Sequence, residues 1–428
     1  MIDVLVAGGG PVGLGTAICC ARAGLSVTVA EPRAAPIDKA CGEGVMPAAL
    51  RRLAALGVDP AGYPLQGIRY LDASHHADAL FRHGSGRGVR RTTLHAALAD
   101  RAAALGIPVL PVRVTSFTQR PDHVSAVGVE ARYLVAADGL HSPIRRKLEE
   151  SGADGPPAGS APPRYGLRQH FRLAPWTDLV EVYWAPEAEA YVTPVASDLV
   201  GIGLLFSMPI RLRPPGLPIQ PNAVSRVAGY PGPESSAADS PLAGFRVASS
   251  GVASSRVTGL RVARSRAAGP PVAGSPGAGS PATAPVDGRG AAGEFGARLA
   301  AFPALLDRLG GAAAASDVRG AGPMRQDVRR RVYGRVLLVG DASGYVDALT
   351  GEGIGVGLAQ AEALADCLGA GRPDDYERAW RRVSGPAWRF TAGLLWSRNQ
   401  PLLADHLVIA AQHFPRLFTA LVNHAAEA

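Results

Sequence analysis

The chain has 428 residues, with 44 Lys plus Arg against 36 Asp plus Glu, a formal net charge of +8 and a pI near 9.6. That length, at about 150 residues per domain, supplies a large core without disulfide or metal staples, and no apolar run approaches the roughly 18 residues that a membrane-spanning helix needs. Four cysteines, Cys19, Cys20, Cys41 and Cys367, have neither framework spacing nor a C-x-x-C pair, which argues against a disulfide scaffold and a metal site and for a reducing, cytoplasmic compartment.

Ile2 to Ala7 is a short β-rich apolar run with no basic region ahead of it, so it reads as a strand and not as a signal peptide. Gly8 to Gly13 is a glycine loop, Leu14 to Ala23 an alanine-rich helix stopped by Gly24, and Ser26 to Ala30 a second strand ending at Glu31. This is a β-turn-α-β unit. Helical patterns follow at Pro47 to Leu56 and Thr93 to Leu105, with strands near Pro108 to Phe117 and Ala131 to Ala137, closing on Asp138-Gly139. From Tyr165 to Phe206 the period becomes two. Four short strands, Gly166 to Leu173, Leu179 to Trp184, Ala188 to Val195 and Leu199 to Phe206, predict an antiparallel sheet laid over the first domain.

Ser207 to Gly293 differs in kind: 54 of its 87 residues are Ala, Gly, Pro or Ser and no period persists, the composition of a disordered insertion. Its nine arginines face only Glu234, Asp239 and Asp287, so six of the eight excess charges lie there and the rest of the chain is nearly neutral. With Lys39 and Lys147 the only lysines, the arginine richness reads as composition, and no nucleic-acid partner is expected. An amphipathic helix from Phe295 to Leu309, a strand from Arg335 to Val339, a glycine-rich turn at Thr350 to Gly355 and a long helix to about Leu368 come next. The tail from Tyr376 is helical, and Trp380, Trp388 and Trp396, eight residues apart, are expected near one face. These helices are read as a cover over an active-site mouth, with a dimer face or contact with a membrane surface as alternatives.

Gly8, Gly10 and Gly13 form G-x-G-x-x-G between a strand and a helix, with Glu31 ending the next strand. Gly8 permits the tight turn, Gly10 lets a pyrophosphate reach the backbone, Gly13 lets helix and strand pack closely, and Glu31 can accept both ribose hydroxyls. Two further segments, Leu134 to Arg145 around Asp138-Gly139 and Arg335 to Gly355 around Gly340-Asp341, resemble the second and third fingerprints of FAD-dependent oxidoreductases of the p-hydroxybenzoate hydroxylase superfamily. Lys39 to Pro47, with Cys41-Gly42-Glu43-Gly44, resembles the geranylgeranyl reductase-like branch of it. The resemblance covers roughly 1–206 and 294–428.

It implies an α/β fold: a Rossmann-like FAD-binding domain of the three-layer ββα type found in glutathione reductase, an antiparallel substrate sheet and C-terminal helices. The expected division is 1–164 and 294–375 for the FAD-binding domain, 165–206 for the sheet, 207–293 for the insertion and 376–428 for the helical tail. Carried over by residue, the resemblance puts Asp341 on the ribityl chain of FAD, the helix opening at Gly353-Ile354 at the flavin N1/O2 edge, Asp138 where FAD meets the nicotinamide, and Arg91 near the pyrophosphate. Val12 and Arg33 join Gly8, Gly10, Gly13 and Glu31 on the cofactor. Cys41 is the candidate beside the flavin ring, either touching flavin or substrate or packing as a small side chain. His170, Tyr183, Trp184, Tyr191 and Thr193 are the candidates on the substrate side, and only one of the neighbours Tyr183 and Trp184 can face inward.

The function implied is an FAD-dependent monooxygenase that takes reducing equivalents from NAD(P)H and, through a flavin C4a-hydroperoxide, uses O2 to hydroxylate or epoxidise an apolar or aromatic small molecule. A flavin-dependent reductase of isoprenoid-like double bonds is the alternative, and an FAD-binding module without catalysis is a third reading. A halogenase is disfavoured because the W-x-W-x-I-P motif is not found.

Overall fold

In the computed structural model, which describes residues 1–150, 163–207, 288–404 and 406–427, the chain opens with strand β1 (Ile2–Ala7), helix α1 (Pro11–Arg22) and strand β2 (Val27–Ala30). Strand β3 (Gly44–Val45), helix α2 (Pro47–Ala55), strands β4 (Tyr63–Leu65), β5 (Gly67–Leu71), β6 (His76–Leu80) and β7 (Gly86–Gly88) and helix α3 (Arg91–Ala104) follow. Next come β8 (Val109–Leu110), β9 (Thr118–Gln119), β10 (Val124–Ala126), β11 (Val129–Ala136) and helix α4 (Pro143–Glu150). The second half contains β12 (Arg164–Arg172), β13 (Leu179–Trp184), β14 (Ala188–Ala196) and β15 (Leu199–Ser207), then α5 (Gly288–Leu299), α6 (Pro303–Leu309), β16 (Arg319–Ala321), β17 (Val332–Tyr333) and β18 (Val336–Leu338). Helices α7 (Gly353–Gly369), α8 (Tyr376–Arg398), α9 (Pro401–Ala404), α10 (Leu407–His413) and α11 (Pro415–Ala426) complete the described chain. Proline sits in the first turn of α1, α2, α6 and α11, where its missing N–H costs nothing.

The first sheet runs β17-β18-β11-β1-β2-β8, with β18, β11, β1, β2 and β8 parallel and the β9–β10 hairpin attached to β11. Central β1 reads as a continuous apolar run because both of its faces are covered. On one face Val4 and Val6 pack under α1, α3 and α7; on the other Leu5 and Ala7 pack with Val124, Ala126, Ile144 and Leu148 from the hairpin and α4. This is the three-layer arrangement expected from the sequence. The second sheet runs β16-β12-β15-β14-β13-β5-β6, and its back face buries Leu167, Tyr183, Val192, Ile202 and Phe206 against Phe295, Leu299 and Leu305 of α5 and α6.

Several expectations need correction. The substrate sheet is not confined to 165–206: it starts at Arg164, gains β16 at one end, and takes β5 and β6 from the first 164 residues, β5 pairing parallel with β13. That pairing joins segments over a hundred residues apart, which local period does not reveal. The strand read across Pro108 to Phe117 reduces to Val109–Leu110, because β8 sits at the sheet edge with one neighbour. The helix read from Phe295 to Leu309 is two, broken before Pro303, and α5 already starts at Gly288. Most of the low-complexity segment lies outside the described residues.

The three tryptophans do not share a face. At about 100° per residue an eight-residue step turns about 80°, so two steps reach the opposite side. Trp380 is buried, Trp388 stands against it with ring centroids 5.2 Å apart, and Trp396 is 60% exposed.

Glycine sets how closely α1 approaches the sheet, since a Cβ on Gly13 would lie 1.9 Å from the Gly8 carbonyl oxygen. Gly13→Ala is therefore expected to lower unfolding free energy by about 1–3 kcal/mol. Gly393→Ala, in α8 with nothing within 4 Å of the added methyl, should instead stabilise by up to about 1 kcal/mol. Urea denaturation of the two variants checks the pair.

Candidate functional site

The glycine loop ends β1 and starts α1 at Pro11. No side chain caps that helix at Gly10, so its first amides remain available to an anion. Gly10 is open: a Cβ there would meet only Arg91 Nη2, at 3.8 Å, which brings the Arg91 guanidinium to the helix head. Arg91 Nε is buried without a hydrogen-bond partner among the described residues. His95 Nε2 lies 2.9 Å from the Gly9 carbonyl and braces the loop from α3. An uncapped helix, an open glycine and an arginine with a spare donor are the fit expected for a dinucleotide pyrophosphate. Val12 acts through packing: its methyls fill the space over Gly340 and Gly357, locking α1 onto α7. Glu31, 5% exposed, accepts from the Gly9 and Arg33 amides and from the Arg33 guanidinium at 2.8 and 3.0 Å, so a ribose must compete with Arg33 for it. Those bonds hold its carboxyl below the usual range although burial opposes them.

The segment Lys39 to Gly44 crosses between the two sheets and is clamped from every side. Glu43, 2% exposed at φ 60°, accepts from the Arg91 amide at 2.9 Å and lies 2.6 Å from His170 Nε2 of β12. Its own carbonyl accepts from the Val89 amide, and its amide donates to Cys41 Sγ at 3.4 Å. His170 Nδ1 accepts from Arg168 Nη1 at 3.0 Å, so Nε2 carries the hydrogen donated to Glu43. Arg168 in turn pairs with Asp38, and the Thr193 hydroxyl donates to the Gly42 carbonyl at 2.8 Å. His170 and Thr193, read as substrate candidates, are thus brought to the clamp. Cys41 is half-buried at its tip, whereas Cys19 and Cys20 are core thiols pushed up to about 12 by burial.

Beyond the clamp, Gly340–Ser343 forms a 3-10 turn that presents Asp341, whose carboxylate pairs with Lys39 at 3.3 Å. Arg145, 4% exposed, donates to the carbonyls of Leu140 and Asp341 and to Gln326, tying the second and third fingerprints together. Asp138 Oδ2 accepts from the Ile144 amide at the start of α4, and burial raises its carboxyl. The Asp341 turn is supported from behind, where the Ser343 hydroxyl donates to the Gly340 carbonyl and accepts from Trp380, and Arg331 stacks on Trp380 at 3.6 Å. Gly353 starts α7 as expected, with Ile354 behind it. Tyr345 leans against Gly353, where a Cβ would lie 3.4 Å from its ring.

The front face of the second sheet looks toward these turns. Register places Arg168, Gly203, Tyr191 and Val182 in one row across β12, β15, β14 and β13. Tyr191 is on this face, its hydroxyl donating to the Leu349 carbonyl at 3.1 Å. Trp184 is too, with its indole nitrogen buried and unpartnered among the described residues. Tyr183 is a correction: strand alternation turns it to the back face, where it packs with the α5–α6 core and donates to Glu181. Leu140, Leu205 and Met324, with Tyr191, Tyr345 and Ala348, form one apolar cluster between sheet and turns. Among the described residues no group of three or more His, Cys, Asp or Glu is placed to hold a metal ion, and no helix is long and apolar enough to cross a membrane.

The family profile described as an FAD binding domain matches residues 1–160. Residues 1–160 are thus similar to an FAD-binding domain. Menaquinone reductase of Mycobacterium tuberculosis strain H37Rv is 31% identical over 163 residues, 34% of this chain and 40% of that protein. Phenazine 1,6-dicarboxylic acid hydroxylase of Lysobacter antibioticus is 30% identical over 209 residues, 42% of this chain and 47% of that one. The chain spans less than half the length of these curated relatives. A solved flavin-dependent brominase matches at TM-score 0.70 and 15% identity, covering 100% of this chain and 94% of its own. Klebsiella pneumoniae HpxO, solved with FAD and uric acid, matches at 0.64 and 16%, covering 100% and 97%. The fold of the FAD-binding domain, the sheet and the C-terminal helices is therefore that of the hydroxylase-like flavoproteins.

Glu43, His95, Arg145 and Tyr345 join these contacts and were not named as candidates from the sequence; Glu43, Arg145 and Tyr345 lay inside the quoted segments, and only their long-range partners distinguish them. Gly10→Ala tests the FAD-binding loop. The backbone tolerates the methyl, so stability should stay within about 0.5 kcal/mol of the parent. FAD affinity, read by flavin fluorescence titration, should fall at least about tenfold, which corresponds to 1.4 kcal/mol.

Proposed function

We propose that the chain is an FAD-dependent monooxygenase that draws on NAD(P)H and O2 to hydroxylate or epoxidise an apolar or aromatic small molecule. The observation that carries this reading is the apolar cluster of Leu140, Leu205, Met324, Tyr191 and Tyr345, which lies where the sheet meets the Asp138 to Leu140 and Asp341 to Leu349 turns. FAD, when bound, supplies the electron store and the activation of O2.

The chain's own residues bind, orient and keep the site dry. The α1 amides and Arg91 would hold the pyrophosphate, Asp341 with Lys39 would hold the ribityl chain, and the α7 amides would supply positive potential to the flavin. The clamped Cys41–Gly44 backbone offers a flat, rigid wall. Leu140, Leu205 and Met324 exclude water from the bound substrate, and the Tyr191 hydroxyl is already occupied by Leu349, which leaves its ring as an apolar surface.

The reductase reading keeps support from the Cys41-Gly42-Glu43-Gly44 segment and from the likeness to a menaquinone reductase. Mass spectrometry of products formed with and without O2 separates the two: the proposal requires an oxygenated product and stoichiometric O2 consumption, and a product formed only under anaerobic reduction contradicts it. Gly203→Val tests the substrate wall. Only the Tyr191 Cβ, at 3.7 Å, lies near the Gly203 position, so the variant should fold and bind FAD normally. Product formation should drop at least about tenfold while FAD content is unchanged.

A further inference from the structure

Glu352 occupies the N-cap position of α7, makes no side-chain capping hydrogen bond there, and is 7% exposed. Thr350 Oγ1 donates to Oε2 at 3.2 Å and sits 3.0 Å from Thr391 Oγ1, while Oε1 has no hydrogen-bond partner among the described residues. The carboxyl borders two small cavities, one with Asp341, Tyr345, Trp388 and Thr391, the other with Met46 and Ala425. No basic side chain pairs with it among the described residues. From the turn, Asp341 and Asp347 share its cavity, and these are paired with Lys39 and Arg164. Tyr345 and, from β5, Tyr70 are the phenols that feel its charge. Helices α2 and α11 bring only apolar groups, and α8 brings Trp388 and Thr391. Burial pushes its carboxyl up to about 8, with the Thr350 bond acting the other way.

The same helix head is the source of positive potential for the flavin's pyrimidine edge, and one helix terminus stabilises two neighbouring negative charges less well than one. We propose that Glu352 is the redox-linked proton acceptor of this site: it takes one proton from solvent when two electrons enter the FAD held at the head of α7, and releases it when they leave. The balance is closed. Two electrons, from a hydride donor of the nicotinamide class or from an electrode, and one proton give the ring a net negative charge. The second proton on Glu352 restores the charge of the site, and by linkage a protonated Glu352 favours reduction. The inference rests on the FAD site and not on the choice of substrate.

The test is a spectroelectrochemical titration of the FAD-loaded protein from well below to well above pH 8, on wild type and Glu352→Gln. In wild type the midpoint potential should fall with the slope of one proton per two electrons below about pH 8, then steepen to two protons per two electrons above it. Glu352→Gln should keep the one-proton slope throughout. Proton uptake by wild type alone, followed with an indicator dye during anaerobic reduction above pH 8, gives the same count without depending on the variant's folding. Equal slopes in both proteins, or uptake of one proton at every pH, overturn the inference and leave the flavin reading standing. A protein that takes up no FAD overturns both.

Discussion

The arrangement of this molecule depends on one buried carboxylate. Glu43 holds a left-handed backbone conformation that costs about 1–3 kcal/mol for a residue other than glycine. Each hydrogen bond to a charged group returns about 1.5–3 kcal/mol, and Glu43 accepts from the Arg91 amide and from His170 while Arg168 lies within ion-pair distance. The bonds outweigh the strain, so the residue stays. In staying it fastens the Lys39 to Gly44 segment to α3 at Arg91 and to β12 of the second sheet at His170. The first layer and the second sheet therefore meet at a fixed spacing along this segment.

Around that segment glycines set the positions of two helix heads. They bring α1 close to β1 and α7 close to Val12, and Arg145 joins the turn that follows β11 to the turn that follows β18. Behind α7, the Arg331–Trp380–Trp388 stack keeps the Asp341 turn from moving outward; a side chain on Gly344 would strike Trp388 at 2.8 Å. The C-terminal helices act here as a brace on the cofactor loop and as a cover: α11 places Phe418 and Val422 on β5 and β6 and brings Ala425 near Met46. Polar and apolar faces of the sheet divide the labour. Its back face is an ordinary core with α5 and α6, and its front face carries the clamp at the His170 end, a glycine gap at Gly203 and the apolar cluster beyond.

What was legible in the sequence follows from range. The glycine loop and its flanking strand and helix depend on neighbours a few residues away, and each stands where local pattern put it. The four strands of the sheet were readable from their period of two, yet the membership of β5 and β6 was not, because their hairpin joins the sheet only through β5 and its partner β13, about a hundred residues on. The same holds for the site. Cys41 was the candidate beside the flavin ring, in contact or as a small packed side chain, while Glu43, two residues on, organises the segment through Arg91 and His170, at separations of 48 and 127 residues. Tyr183 and Trp184 could be known to face opposite ways, but the side each takes was decided by the α5–α6 core beyond the sheet.

The account stands or falls on whether the clamp builds the FAD site. Isothermal titration of FAD into wild type and Glu43→Gln measures this directly, since glutamine keeps an oxygen for the Arg91 amide and removes the charge that holds His170 and Arg168. Far-UV circular dichroism should be unchanged, and FAD should bind at one site with an affinity lowered about tenfold or more, equivalent to one lost charged hydrogen bond. Equal FAD affinity in the two proteins would contradict the account.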